Sequence, residues 1–184
     1  MEKTKLNIST LPFEIAHYVS DRLKIFSIHR KIIFIKNQSN FIIKAPFVLF
    51  DIFGFSRILR RLFRLDKCNI YPLDSYGNEF LLIRYNKIYK YSNKKIVSEF
   101  NLGSTRNILH NPLCKTPDGR IFIGEYSSNR ARKSVKIYAS DNNGENWYII
   151  YSIPQNKIKH IHGIFYDIYT DSLWIATGDN NGEC

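Results

Sequence analysis

The sequence predicts an all-β fold, a partial β-propeller of four-stranded antiparallel blades, with one short basic amphipathic helix near residues 56–66. From about Tyr71 onward, runs of β-branched and aromatic residues alternate with short polar breaks, as in antiparallel meanders. This pattern recurs at intervals of about 41 to 53 positions, a repeat typical of propeller blades. A composition of 44% hydrophobic and 15% aromatic residues argues against disorder and for a packed core.

Residues 1–67 form a predicted N-terminal segment, and residues 68–184 hold the predicted blades. In the first part, "KIIFIK" and "NFIIKAPFVLF" have the composition of strands. This part carries 13 Lys and Arg against 5 Asp and Glu, whereas residues 68–184 carry 14 against 11. The basic excess therefore lies in the N-terminal third, where it favours contact with an anionic partner.

A basic amphipathic helix is predicted within "GFSRILRRLFRLDK", with Ser56 as its N-cap. Four arginines share one helix face at i, i+3, i+4 and i+7: Arg57, Arg60, Arg61 and Arg64. The apolar residues take the opposite side: Ile58, Leu59, Leu62 and Leu65. The pattern allows contact with a membrane or nucleic acid. The favoured interpretation is a surface helix whose apolar side covers a sheet.

The predicted blades follow one another in three rounds. The first contains "NEFLLIRY", "KIYKYS" and "KIVSEF", and the second contains "DGRIFIGEY", "SVKIYAS" and "WYIIYSI". Tight turns lie at equivalent points, at Gly77-Asn78, Asp118-Gly119 and Asp171-Ser172. The third round, "HIHGIFYDIYTDSLWIATGD", has two strands only. We therefore expect the chain to be the front part of a longer protein, with open edges that missing C-terminal blades or a partner chain would cover.

The stretch "IYASDNNGENWYII" places a compact turn between two predicted strands. Ser140, Asn142, Gly144 and Trp147 have the spacing S-x-D-x-G-x-x-W, with Asn in place of Asp. Short polar side chains bond nearby amides, glycine permits positive φ, and the indole ring can be buried. This motif resembles the Asp-box, or BNR, motif of sialidase-like propellers. The resemblance is best over residues 102–184, to a bacterial and archaeal branch of unestablished activity.

The resemblance implies a structural role for the box, which joins the third and fourth strands of a blade away from the central funnel. Candidate functional residues must therefore come from elsewhere. Two lie at His160 and His162, whose side chains share one face of a predicted first strand, which would line the central channel. They could hold a metal if Asp179 or Glu183 supplied an oxygen, but two histidines alone do not make a site, and we expect no metal and no cofactor.

The candidate catalytic residues are Glu125 and His162, as general acid or base or as nucleophile. The candidate ligand-binding residues are His160, Asp179 and Arg106. Sialidase chemistry would need three convergent arginines, and Arg84, Arg106 and Arg120 are scattered candidates without the arginine motif that such enzymes carry near their start. Other glycoside cleavage needs two carboxylates at a defined separation. The run "NRARKSVK" is interpreted as a solvated loop.

Several classes of enzyme, metal site and secreted or membrane-spanning protein are excluded or not expected. The sequence has no P-loop, no G-x-G-x-x-G, no H-E-x-x-H and no nucleophile elbow. Three widely spaced cysteines, Cys68, Cys114 and Cys184, form neither a disulfide framework nor a zinc motif. The N-terminus lacks the apolar core of a secretion signal and no apolar run reaches transmembrane length, so a cytoplasmic location is expected.

Three function classes remain after these exclusions. The first is a non-catalytic scaffold that binds a glycan, another small ligand or a protein through its funnel or edges. The second is a carbohydrate-active enzyme, a glycosyl hydrolase of sialidase-like type, as the resemblance implies. The third is binding to an anionic surface through the Arg57–Arg64 helix, with nucleic acid as the partner that we expect least.

Overall fold

Strands dominate the computed structural model, which describes residues 15–36, 40–65, 68–105 and 112–178. The strands of the first two sheets are β1 (Ile15–Val19), β2 (Leu23–Ile28), β3 (Lys31–Lys36), β4 (Asn40–Lys44), β5 (Cys68–Pro72), β6 (Glu79–Arg84), β7 (Lys87–Ser92) and β8 (Lys95–Asn101). The remaining strands are β9 (Leu113–Lys115), β10 (Ile121–Gly124), β11 (Val135–Ser140), β12 (Tyr148–Ile153), β13 (Ile161–Asp167) and β14 (Ser172–Thr177). A 3-10 helix (Leu49–Phe53) and helix α1 (Arg57–Leu62) lie between β4 and β5.

The strands form four antiparallel sheets in chain order, as in propeller blades. Three sheets have four strands each, β1 to β4, β5 to β8 and β9 to β12, and β13 pairs with β14 in a fourth. This arrangement confirms the predicted all-β fold of four-stranded antiparallel units. The sequence pattern does not predict β1, β2, β5 and β9. β5 and β9 are difficult to detect because they are short and contain Cys, Asn, Pro or Lys, which have low strand propensity.

The hydrophobic core lies between consecutive sheets, in three layers. Side chains of β6 alternate between two of these layers: Phe80 and Leu82 pack toward the first sheet, and Leu81 and Ile83 toward the third. Both faces of β6 are therefore buried, which explains its continuous apolar run. The first layer joins residues from both sides of position 67, such as Phe34 and Phe80, with ring centroids 4.9 Å apart. The domain division at residue 67 stays a prediction.

Helix α1 lies on the surface with its apolar side exposed. Ser56 caps it as predicted, because its hydroxyl accepts a hydrogen bond from the Leu59 amide at 3.5 Å. The expectation that the apolar side covers a sheet is wrong, since Ile58 is 78% exposed and Leu62 is 70% exposed. Leu65, which follows the helix, is buried. No helix in the described ranges is long and apolar enough to cross a membrane.

The fourth sheet presents an open, apolar edge. In the described residues β14 is hydrogen-bonded to β13 only, and Trp174 and Ile175 on β14 are exposed. Because such edges pair with other chains, we expect the purified protein to self-associate as its concentration rises. The variant Trp174→Thr/Ile175→Thr should stay monomeric to higher concentration in sedimentation velocity. Monomeric wild-type protein at every concentration would contradict this expectation.

Candidate ligand-binding cleft

A cleft of 980 Å³ lies between the helical segment that precedes β5 and the loop that joins β10 to β11. Its aromatic lining residues are Phe50, Phe63 and Tyr85. Its cationic lining residues are Arg64, Arg130 and Lys133, all exposed. Glu125 is the one carboxylate among the described lining residues. The volume is that of a typical small-ligand site, and the charges favour an anionic ligand.

The β10–β11 loop is held in shape by Asn129, so its cations are presented from a fixed backbone. The Asn129 side chain accepts a hydrogen bond from the Lys133 amide at 2.9 Å and donates to the Lys133 carbonyl at 2.9 Å. It also donates to the Lys159 carbonyl at 2.9 Å, which ties the loop to the chain before β13. A pre-organised loop of this kind lowers the ordering cost of binding.

Glu125 lies at the end of β10, and both of its carboxylate oxygens are engaged by the fold. Oε1 accepts a hydrogen bond from the Tyr138 hydroxyl at 2.8 Å, and Oε2 accepts one from the Lys136 amide at 2.9 Å. Glu125 is 5% exposed. Burial, together with the hydrogen bond to Glu125, raises the pKa of Tyr138, so its phenol remains a donor. These contacts give Glu125 a bracing role between β10 and β11.

Tyr85 contributes an aromatic wall to the cleft from the turn between β6 and β7. Its backbone has a φ of 54°, which is unusual for a bulky residue. Its hydroxyl is buried and has no hydrogen-bond partner among the residues that the structure describes. Burial raises the pKa of this hydroxyl. A buried hydroxyl without a hydrogen-bond partner costs free energy. We therefore expect a water molecule or a ligand group to form a hydrogen bond with it.

His160 and His162 are brought together at the start of β13, as their spacing predicts. Their Nε2 atoms are 3.3 Å apart. His160 Nδ1 lies 2.7 Å from the Ser127 carbonyl and must donate to it, since a carbonyl only accepts. His162 Nε2 lies 3.0 Å from the Gly178 carbonyl and donates there for the same reason. The pair thus links the β10–β11 loop, β13 and the end of β14, and Tyr126 packs its ring against both imidazoles.

Two other sequence-predicted candidates, Arg84 and Arg120, do not line the cleft. Arg84 is buried against Asp51, and Arg120 pairs with Asp118 at 2.8 Å at the opposite end of β10. Arg106, Asp179 and Glu183 lie outside the described residues. Within the described ranges no group of three His, Cys, Asp or Glu side chains could hold a metal ion. The three-arginine cluster that sialidase chemistry requires is therefore not formed by Arg84 and Arg120.

The four residues of the S-x-N-x-G-x-x-W motif meet in the β11–β12 turn. The Ser140 hydroxyl accepts a hydrogen bond from the Gly144 amide at 2.8 Å, and Asn142 Oδ1 accepts one from the Asn146 amide at 2.9 Å. The Trp147 indole donates to the Gly144 carbonyl at 3.1 Å, and its ring packs against the second core layer. Asn142 thus makes the turn contact for which the motif usually has Asp.

Sequence reasoning missed the cations and Tyr85 in the cleft. The run "NRARKSVK" was interpreted as a solvated loop, whereas Arg130 and Lys133 from this run line the cleft opposite Arg64. The sequence held one signal for this site. The basic segment that ends at Arg64 precedes β5, and the basic segment with Arg130 and Lys133 joins β10 to β11, so both lie at the same end of their sheets. Their meeting depends on how consecutive sheets stack, which local patterns do not encode.

No protein-family model and no curated protein matches this chain. Among solved structures it is similar to the crystal structure of a protein of unknown function from Bacteroides caccae. The two share 14% sequence identity with a TM-score of 0.41, over 86% of this chain and 50% of that chain. The chain thus spans half the length of that protein.

Proposed function

We propose that this chain is an Asp-box (BNR) type propeller protein that binds an anionic glycan, or a small ligand of the same chemistry, in the cleft without cleaving it. The observation that carries the proposal is the lining of the cleft. Arg64, Arg130 and Lys133 bring three cations to a space with aromatic walls. Guanidinium and ammonium groups bind carboxylates and sulfates, and aromatic rings pack against the apolar faces of sugars.

Binding is favoured over catalysis by the state of Glu125. A general acid or nucleophile needs an oxygen that can reach the substrate, and both Glu125 oxygens already accept hydrogen bonds from the fold. Glycoside cleavage by a pair of carboxylates would also need a second carboxylate beside Glu125. The described lining residues contain no second carboxylate. The carbohydrate-active enzyme stays the alternative.

A glycan is favoured over nucleic acid by the remaining lining side chains. Short hydroxyl and amide groups suited to sugar hydroxyls line the cleft: Asn86, Ser104, Thr105, Ser127, Ser128 and Ser134. A single-strand nucleic-acid site instead needs aromatic rings that are free to stack on successive bases, whereas Phe50 and Phe63 already stack on each other here. The Asp-box assignment is supported by the side-chain hydrogen bonds that Ser140 and Asn142 accept within the β11–β12 turn.

Isothermal calorimetry with a sulfated heparin oligosaccharide of defined length tests the proposal. We expect saturable binding that weakens as salt is added, because ion pairs at an exposed cleft are screened. The variant Arg130→Ala/Lys133→Ala should bind about tenfold more weakly or worse, since two charge-assisted contacts are lost. The matched control is Lys94→Ala/Lys95→Ala, which removes the same charge from the exposed turn between β7 and β8, away from the cleft.

Three outcomes would overturn the proposal. Equal weakening in the Lys94/Lys95 control would mean that net charge alone drives binding. Tighter binding of an oligothymidine than of the oligosaccharide would point to nucleic acid. Release of new reducing ends from the oligosaccharide, abolished by Glu125→Gln in a variant with unchanged thermal unfolding, would establish the enzyme alternative.

A further inference from the structure

The segment of residues 46–65 between β4 and β5, which we call the helical insertion, exposes an unusual amount of apolar surface. It contains the 3-10 helix and α1. Five of its large apolar side chains lie outside the cleft and are 55% exposed or more: Phe47, Leu49, Ile52, Phe55 and Ile58. Phe55 reaches 81% exposure. Large exposed apolar side chains concentrated in one short segment favour a surface that contacts a partner.

The exposure results from the internal packing of the insertion. Phe63 stacks on Phe53 with ring centroids 5.0 Å apart and on Phe50 at 5.8 Å, so these three rings hold the two helices together. The Arg60 guanidinium donates to the Gly54 carbonyl at 3.2 Å across the junction. The rings that join the helices thus differ from those that face outward. Ile58 and Leu62, four residues apart, share the exposed side of α1.

The charge of the insertion is positive at its surface. Its sequence carries four arginines and one acidic residue, Asp51. Asp51 is 7% exposed and its carboxylate is bound by the Arg84 guanidinium, so its negative charge is compensated inside the fold. Arg57 and Arg61 are exposed on α1, and neither lines the cleft. Within residues 46–65 the outer surface therefore combines apolar side chains with positive charge, and none of these described residues exposes a carboxylate.

The insertion is also fixed to the sheets. Arg84 on β6 donates to the Pro46 carbonyl at one end and to the Leu65 carbonyl at the other. Arg30 donates to the Ala45 carbonyl through Nε at 3.0 Å and Nη2 at 2.8 Å. The surface is thus presented from a braced backbone, so docking would require little further ordering.

We propose that the helical insertion docks the protein on an anionic lipid bilayer. Phe55, Ile58 and their apolar neighbours enter the boundary between headgroups and acyl chains, and the arginines contact the lipid phosphates and carboxylates. Interfacial helical segments bind in this way, with strength set by buried apolar area and by attraction to anionic lipid. Nucleic acid would use the arginines but would leave the exposed apolar residues without a role. The inference is independent of the ligand in the cleft.

Co-sedimentation with vesicles tests the proposal. We expect the wild-type chain to bind mixed phosphatidylcholine and phosphatidylserine vesicles, and to bind pure phosphatidylcholine vesicles more weakly. The variant Phe55→Ser/Ile58→Ser should lower the partition coefficient about 30-fold or more, because two inserted apolar side chains are lost. Arg61→Gln should lower it about fivefold on the anionic vesicles only. None of these three residues lines the cleft.

A fluorescent reporter makes the test specific for insertion. Phe55→Trp places an indole at the centre of the surface, and its difference spectrum against wild type should shift to the blue on anionic vesicles and be quenched by brominated lipids. The matched control is Ile168→Ser/Tyr169→Ser, which removes two exposed apolar side chains, 67% and 91% exposed, from the turn between β13 and β14 and should leave partitioning unchanged.

The proposal is overturned by any of three results. Wild-type protein that stays in the supernatant with both vesicle types would exclude docking. Unchanged partitioning of Phe55→Ser/Ile58→Ser, with the wild-type unfolding midpoint, would exclude this surface. Binding of duplex DNA that is tighter than vesicle binding and survives the Phe55/Ile58 substitution would assign the arginines to nucleic acid.

Discussion

Replacing Arg84 with Met should lower the free energy of unfolding by about 3–5 kcal/mol, the usual cost of breaking a buried ion pair on one side. The Arg84 side chain is 1% exposed, and its guanidinium binds Asp51 through two contacts, at 2.6 Å and 2.9 Å. Removal of the guanidinium leaves the Asp51 carboxylate buried. Among the described residues, the Val48 amide and the less buried His29 and Arg30 remain near it. The loss is measured by urea denaturation.

The control for this prediction is the double variant Asp51→Asn/Arg84→Met. It removes the buried charge together with its partner, so we expect a smaller loss than the sum of the two single substitutions. A loss below about 1 kcal/mol in Arg84→Met would show that water or His29 and Arg30 compensate Asp51, and would contradict the prediction.

The same pair predicts a pH dependence. Burial acts to raise the pKa of Asp51, but the hydrogen bonds from Arg84 and the Val48 amide hold it below its ordinary value of 3.8. Its contribution to stability is therefore present above pH 3.8 and is lost as the pH falls through the lower folded-state value. Without Arg84, burial raises the pKa of Asp51 instead. The stability deficit of Arg84→Met should accordingly be largest near neutral pH and shrink in acid.

Gly144→Ala in the β11–β12 turn should cost about 2–4 kcal/mol of stability, the sum of backbone strain and overpacking. Gly144 has a φ of 79°, and an added Cβ would lie 2.6 Å from Leu81 Cδ2. Leu81 is fully buried in the second core layer and has little room to move. Thermal unfolding of the variant should show a lower midpoint than wild type.

Gly119→Ala is the matched control for Gly144→Ala. Gly119 also has a positive φ, 91°, but nothing lies within 4 Å of an added Cβ there. The Gly119→Ala variant should therefore lose only the free energy of backbone strain, about 1–2 kcal/mol of stability. Equal losses in the two variants would mean that the contact with Leu81 contributes nothing, and that the box does not close the turn against the neighbouring sheet.

Local chemistry was predictable from the sequence because its causes lie within a few residues. Alternation and turn residues identified most of the strands from β6 onward, and the spacing of Ser140, Asn142, Gly144 and Trp147 located the β11–β12 turn. The pairing of His160 with His162 also followed from the period of a strand. In each case the partners are neighbours along one strand or across one turn.

The cleft and the exposed insertion were decided by the tertiary structure. Arg64 and Arg130 line one cleft although 66 positions separate them in the chain, and Asp51 meets Arg84 across 33 positions. An amphipathic period shows which side chains of α1 share a face, but it does not state what that face contacts. Here Phe53 and Phe63 join the two helices, and Ile58 and Leu62 remain exposed. The sequence by itself determined most of the strands and the turns between them. The stacking of the sheets determined which distant charges meet, because burial depends on contacts between distant elements.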